Sequence, residues 1–453
     1  MSRFTRRLQQ SVQPPQPAGG TQVVEQYGVT FSFDREYPAG QFANGDWWVC
    51  PTNPGGTVTI SAITPAYNAG QATHGFQVNP SSMNSQGYDG RVLPGWNSGL
   101  VPTLPLAVSG GSSVVKAVSA ASPGGSAPDH LPSLETAVVL TVLNTPPVQP
   151  SRTFRPPYYG TYKPLYTLDD LDEARLPSLA PVGSPPSLDW VRGRFQRVQL
   201  DQWYQYSARY MHPADNFRAT PGTGEISNYG ANMAQDHNAA ILRLMLSDAT
   251  WTQKQVALIP VLQAGIDWFG MVQAGGGWVA NGGPAVGRKQ MIFFAGMMFD
   301  SSEIRAVLPA PATHVFCEND FIVWGSSANR PLWGYMESDP SDYWENVSND
   351  TGRRDLADPT GQIDGGYNPG AGYQSISSNT FAEAALIVRL MNGESVWAHD
   401  DFLDYVDRWV GFGAWTQPDT ETAQRPSFWA AHGTGNRTTY RNAFLRAMWD
   451  AYR

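Results

Sequence analysis

The chain has 453 residues, of which 41% are hydrophobic and 15% charged, and its formal net charge at pH 7 is −9. This length exceeds one ordinary hydrophobic core and predicts two domains, while the apolar content excludes a disordered chain. The acidic balance argues against nucleic acid as a partner. No apolar run approaches the roughly 18–20 residues of a membrane span, so we expect no membrane contact.

The N-terminus and the two cysteines bear on the compartment. Residues 1–21 carry charges but lack the apolar segment of a signal peptide, so we interpret them as a flexible tail. Cys50 and Cys317 lie far apart in the sequence and predict neither a disulfide framework nor a cysteine-based metal site.

Residues 22–145 have the pattern of an accessory β domain. Short segments rich in β-branched residues, such as GVTFSF, TVTISAIT and TAVVLTVL, alternate with clusters of Gly, Pro, Asn and Ser. This pattern is typical of an antiparallel β-sandwich. The segment TPPVQPSR (145–152) predicts a linker to a second domain over residues 153–453.

After the linker, apolar residues recur with the period of α-helices. The pattern predicts seven helices, near residues 187–211, 228–247, 252–273, 287–299, 379–392, 400–411 and 437–451. Thr380 and Glu383 have the spacing of a capping box at the start of the fifth helix. Pro260 is expected to kink the third helix.

The predicted helices alternate in character. The second, fourth, fifth and seventh are rich in apolar residues, whereas the first, third and sixth are more amphipathic. Buried helices that alternate with half-exposed ones favour two concentric rings of hairpins, an α/α toroid or incomplete barrel. The connections that enter the apolar helices are long and Gly-rich, and those that leave them are short. All long loops would then lie at one end, beside the helix N-termini, where we expect the functional site.

Two stretches at this end carry a resemblance to a known group of enzymes. SNYGANMAQDHN opens the second helix, and NGGPAVGRKQMIFFAGMMF opens the fourth. Both resemble helix entries of the α/α-toroid polysaccharide lyases, the heparinase- and alginate-lyase-like group, over residues 155–453. The resemblance implies cleavage of an anionic, uronic-acid-containing polysaccharide by β-elimination. In many of these lyases the sandwich follows the toroid, so the reversed order here leaves the particular uronate open.

β-Elimination needs donors that neutralise the uronate, a base that removes the adjacent proton, and an acid that protonates the leaving oxygen. The predicted catalytic residues are Asn228 and Arg288 at the carboxylate, with Tyr229, His212, Tyr373 and His432 as base or acid. The predicted substrate contacts are Asn232, His237, Arg218, Trp278, Tyr159 and Trp333.

Several of these residues have a structural alternative. Asn228 could serve as a helix cap, Arg288 as the partner of a nearby acid, and His237 as a core histidine. The chemistry requires no cofactor and the sequence predicts no metal ligand set, although it leaves a structural calcium or zinc open.

Two other functions fit the same sequence. A glycoside hydrolase would use two carboxylates, for which five mouth-side residues are available: Glu225, Glu318, Asp320, Glu337 and Asp364. A non-catalytic glycan-binding or structural protein would also account for the 16 tryptophans. A polysaccharide substrate implies a secreted or periplasmic protein, yet no signal peptide is visible. The sequence does not determine endo or exo action or the oligomeric state.

Overall fold

The fold is described from a computed structural model. It describes residues 19–70, 72–91, 95–121, 134–202, 230–278, 283, 285–309, 315–325, 330–333, 372–412 and 442–453. Both cysteines are buried, and they form no disulfide.

The described residues of the first part of the chain contain eight strands. They are β1 (Gly20–Gln26), β2 (Val29–Gln41), β3 (Trp47–Val49), β4 (Thr57–Thr64), β5 (Phe76–Val78), β6 (Leu106–Ser109), β7 (Ser112–Ser119) and β8 (Leu134–Val142). A small hairpin, β9 (Ile322–Gly325) and β10 (Arg330–Trp333), lies within the helical part.

Strands β1 to β8 form one mixed sheet, shaped as a half-barrel, and the expected antiparallel sandwich is not confirmed. Its order is β5, β7, β8, β3, β2, β4, β6, with β1 also paired to β2. The β3–β8 pair is parallel. Strand β2 makes the sheet continuous, because its residues 30–33 pair with β4 and its residues 39–41 pair with β3. Alternating sequence patterns indicate strands, but they do not reveal that one long strand joins the two groups.

The rest of the described chain is mainly helical. The helices are α1 (Leu188–Phe195), α2 (Gly230–Leu244), α3 (Trp251–Gln273), α4 (Lys289–Met298), α5 (Ser302–Arg305), α6 (Cys317–Asp320), α7 (Gly372–Leu390), α8 (Glu394–Trp397), α9 (Asp400–Phe412) and α10 (Ala443–Tyr452). The prediction of a β part followed by a helical part is therefore confirmed.

Local signals set the bounds of α3 well. Thr250 caps it, accepting from Gln253 N at 3.3 Å while Gln253 Oε1 accepts from Thr250 N at 2.8 Å. Pro260 lies inside the helix, which continues to Gln273. Both ends therefore agree with the predicted range of 252–273 to within one residue.

The predicted capping box at Thr380 and Glu383 is wrong. Helix α7 begins at Gly372, so both residues lie in its interior. Thr380 Oγ1 donates to the Ser377 carbonyl at 2.7 Å, and Glu383 Oε2 accepts from Asn238 Nδ2 at 3.0 Å. The Glu383 side chain, which sequence spacing assigned to a local cap, therefore binds Asn238 on α2 instead.

The first predicted helix is also shorter than its range of 187–211. Helix α1 ends at Phe195. After the helix, hydrogen bonds to a distant residue hold the backbone. Tyr158 OH donates to the Gln199 carbonyl at 3.1 Å and accepts from Asp201 N at 3.2 Å. Residues 203–211 lie outside the described part of the chain.

The sheet and the helices share a hydrophobic core. Adjacent residues of β7 point to opposite faces, so Val115 joins the core of the helical part while Val114 joins a second core on the other face. Aromatic residues bury large areas in the shared core, among them Tyr88 from the sheet region and Trp268 from α3.

A buried ion cluster of Asp46, Arg155 and Asp267 joins the two parts. Arg155 Nε donates to Asp46 Oδ2 at 2.6 Å, and its two terminal nitrogens donate to Asp267 at 2.8 and 2.5 Å. Asp46 precedes β3, Arg155 follows the predicted linker, and Asp267 lies on α3. The chain after the linker is therefore fixed to both parts by charge-assisted hydrogen bonds.

Helix α3 is the exception to the expected lack of long apolar segments. Of the helices described, it alone has the length and composition to cross a membrane, and 78% of its most apolar window is buried inside the protein. Its burial among other helices is what a core helix requires.

Candidate functional site

Helix α2 lies at the centre of the candidate site, because it packs against both α4 and α7. His237 connects it to Gly287, two residues before α4, and Asn238 connects it to α7. His237 and Asn238 end the motif SNYGANMAQDHN, and Gly287 lies in the second motif, NGGPAVGRKQMIFFAGMMF. We call residues 287–289 of that motif the Gly-Arg-Lys entry.

Gly287 allows α2 and α4 to approach closely. Its φ of +98° is a backbone conformation that L side chains rarely adopt. A Cβ here would lie 2.4 Å from the Cβ and 2.9 Å from the Cα of Ala234 on α2. The glycine of the Gly-Arg-Lys entry therefore has a steric explanation, independent of any catalytic role.

Polar side chains surround Gly287. His237 Nδ1 lies 3.1 Å from the Gly287 carbonyl, and the Gly287 N–H donates to Glu318 Oε1 at 2.7 Å. A carbonyl only accepts, so Nδ1 carries the proton in this bond and the histidine tautomer is fixed. Gln290 Nε2 lies 3.3 Å from the position that a Gly287 Cβ would take. We call His237, Gly287, Gln290 and Glu318 the Gly287 cluster.

Two members of the Gly287 cluster have incomplete hydrogen bonding. Gln290 and Glu318 are each only 1% exposed. Within the described residues, neither amide atom of Gln290 has a hydrogen-bond partner, and Glu318 Oε2 also lacks one. Burial raises the pKa of Glu318. The hydrogen bond from Gly287 N and the charges of Lys289 and Arg288 lower it, but the pKa remains raised. Buried polar atoms without partners are costly, so an ordered water or another bound group is expected beside them.

Lys289 is buried in a different polar environment. Its Nζ donates to Asn319 Oδ1 and to the Trp397 carbonyl, each at 2.8 Å, and lies 4.3 Å from the centre of the Trp397 ring. Burial lowers the pKa of Lys289 to about 7. Burial also lowers the pKa of His399, to about 3, and the charge of Lys289 adds to this decrease.

Glu383 forms the contact between α2 and α7. Asn238 Nδ2 donates to Glu383 Oε2 at 3.0 Å and to the Thr380 carbonyl at 3.3 Å. Burial raises the pKa of Glu383 to about 8, although the hydrogen bond from Asn238 lowers it. Because ionisable groups with strongly shifted pKa values cluster at functional sites, Glu383 and Lys289 mark this region.

Arg288 lies next to these residues but is held by a carboxylate. Its Nε and terminal nitrogen donate to Asp201 at 2.6 and 3.0 Å, and the other terminal nitrogen donates to the Val286 carbonyl at 2.6 Å. The arginine is 1% exposed. In this structure it therefore forms the acidic pair that the sequence left open, and its binding of a substrate carboxylate stays a prediction.

The aromatic residues predicted to contact sugar lie in the hydrophobic core instead of on open loop surfaces. Trp278 stacks on Phe316 with a centroid separation of 6.4 Å, and Trp333 stacks on Phe321 at 4.8 Å. Tyr159 is also buried, which raises its pKa well above the ordinary range. Large aromatic rings bury much apolar area, and Gly-rich flanking sequence does not outweigh that gain.

The remaining predicted residues fall into two groups. Asn232 is half-buried on the first turn of α2, and Tyr373 is the second residue of α7, where only its backbone is described. Five predicted residues lie outside the described part of the chain: His212, Arg218, Asn228, Tyr229 and His432. The described residues therefore include only part of the predicted site.

Sequence reasoning missed Asn238, Gln290 and Glu383. Each lies on a predicted apolar helix. Asn238 and Gln290 adjoin other polar residues, so neither stands out from the sequence. Glu383 does stand alone between two alanines, but its spacing from Thr380 assigned it to a cap. In the described residues no group of three or more His, Cys, Asp or Glu side chains could hold a metal ion.

Comparison with known proteins adds no assignment. The chain matches no family model, and neither the curated proteins nor the solved structures contain a significant match to it.

Proposed function

We propose that the protein is a polysaccharide lyase that cleaves a uronic-acid-containing polysaccharide by β-elimination. Its helices would form an α/α toroid or incomplete barrel with the long loops at one end. The proposal is supported by the buried polar residues that link α2 to the start of α4 and to α7. Asn238 on α2 donates to the Thr380 carbonyl and to Glu383 Oε2 on α7, so buried polar groups join these two helices.

The proposed chemistry involves residues of the long loops and of the helix starts. Asn228 and Asn232 would neutralise the uronate carboxylate, which makes the adjacent proton acidic enough to remove. Tyr229, His212, Tyr373 and His432 are the candidates for base and acid. The single observation that carries the proposal is the geometry at α2, where Asn238 donates to Glu383 on α7 at 3.0 Å and His237 Nδ1 lies 3.1 Å from the Gly287 carbonyl at the entry to α4.

A glycoside hydrolase is the second candidate, and one observation favours it. Glu318, one of the five carboxylates available for hydrolysis, is buried with a raised pKa. A raised pKa is what the general acid of a glycosidase requires. Glu383 has the same property and could serve as the acid in place of Glu318.

Ultraviolet absorbance separates the two reactions. The whole protein is incubated with alginates, glucuronans and glycosaminoglycans, because elimination leaves an unsaturated, absorbing uronate and hydrolysis does not. We expect absorbance to rise with at least one polymer and the rise to be lost in Asn228→Ala. Thr250→Ala is the matched control, since it removes a helix cap at the start of α3, which follows a short connection.

Two other outcomes of these assays would support a different function. New reducing ends without absorbance, lost in Glu318→Gln or Glu383→Gln, would replace the lyase with the hydrolase. Binding of glycan with neither product would leave a non-catalytic glycan-binding protein.

A further inference from the structure

The Gly287 cluster contains polar atoms that the fold does not use. Gln290 lies in the first turn of α4 with both amide atoms unpartnered among the described residues, and Glu318 Oε2 is unpartnered beside the same glycine. Both side chains are 1% exposed, so bulk water does not satisfy them. In a folded protein such atoms usually bind an ordered water or a ligand.

The chemistry of these atoms selects a hydroxyl group. A hydroxyl can accept from the Gln290 amide nitrogen and donate to Glu318 Oε2 or to the amide oxygen. A carboxylate has no hydrogen to donate, so it would leave the amide oxygen of Gln290 without a partner. The proposed substrate, a polysaccharide, supplies such hydroxyl groups on each sugar unit.

We propose that Gln290 and Glu318 form a subsite that binds a hydroxyl group of one sugar unit, separate from the groups that neutralise the uronate. The assignment deepens the proposed function and rests on it for the identity of the polymer. It makes Gln290 a specificity-determining residue whose amide is retained at a cost to stability. A purely structural glutamine would have been expected to use at least one of its amide atoms.

Gln290→Met tests the subsite, because methionine has nearly the same shape and no hydrogen-bonding amide. The probes are carboxyl-reduced tetrasaccharides made from alginate, glucuronan and chondroitin, which keep their hydroxyl groups and lose their carboxylates. Isothermal titration calorimetry measures their affinity for the whole protein, and urea denaturation measures its stability. We expect affinity at least tenfold weaker than that of the wild type, with unfolding at the same or a higher urea concentration.

Gln263→Met is the matched control. Gln263 is another buried helical glutamine, but its Nε2 donates to the Arg155 carbonyl at 2.9 Å. This variant is expected to lose stability and keep the affinity of the wild type. If Gln290→Met does not fold, Gln290→Leu is used in the same comparison.

The outcomes separate this inference from the proposed function. Weakened tetrasaccharide binding in Gln290→Met, without an absorbance rise on any polyuronate, would support the subsite and overturn the lyase. Full absorbance and unchanged affinity in Gln290→Met would overturn the subsite and leave the lyase standing. Failure of the wild type to bind any of the three probes would also overturn it, and would indicate that the cluster holds an ordered water only.

Discussion

Glu383 offers a test of the helix contact at the centre of the site. Its carboxyl group is 2% exposed, accepts one hydrogen bond from Asn238 and has a pKa raised by burial to about 8. The carboxyl is therefore mostly protonated in the folded protein at pH 7. In the unfolded chain its ordinary pKa is 4.5, so it is ionised at the same pH. Glu383→Gln replaces the protonated acid with a neutral group of the same shape that can still accept from Asn238.

The sign and size of the effect follow from this difference. Because the folded-state pKa is raised, the contribution of Glu383 to stability is fully present below pH 4.5 and is lost as pH rises through 8. Each pH unit in this interval costs about 1.4 kcal/mol, so the wild type should lose about 3 kcal/mol relative to Glu383→Gln between pH 5 and pH 7. At pH 9 the loss should have levelled off.

Urea denaturation at pH 5, 7 and 9, followed by tryptophan fluorescence, measures this difference. Other titrating groups are common to both proteins and cancel in the comparison. Glu173→Gln, at an exposed position, controls for the loss of one negative charge. Parallel stability curves for the wild type and Glu383→Gln would refute the reasoning, since they would mean that Glu383 is ionised and solvated in the folded protein.

Two further substitutions test the packing around the site. Arg155→Met leaves the two buried carboxylates of the ion cluster without their shared partner, so we expect a loss of about 3–5 kcal/mol in unfolding free energy, measured by denaturation; an unchanged value would mean that water already solvates the cluster. Gly287→Ala should cost about 2 kcal/mol or more in the same assay, because of its positive φ and the contact with Ala234. Gly193→Ala is its control, since a Cβ there meets nothing within 4 Å and alanine favours the helix, and equal effects of the two substitutions would contradict the steric argument.

Local sequence patterns determined the division of the chain and the positions of most elements. The change of period after residue 152 predicted strands followed by helices, because side-chain periodicity records which face of an element is buried. The bounds of α3 were predictable since Thr250 and Gln253 complete a local cap. The Gly-Arg-Lys entry was correctly placed at the start of α4, which begins at Lys289.

Partners distant in the sequence decided the rest. Glu383 has the spacing of a capping residue, but it binds Asn238, 145 residues away. Arg288 is held by Asp201, and a single long strand, β2, joins two groups of strands into one sheet. Trp278 lies in the core although its flanking glycines suggested an open loop. A sequence pattern reports whether a side chain is apolar or polar, whereas burial and hydrogen-bond partners depend on which elements meet, and only the tertiary structure sets those contacts.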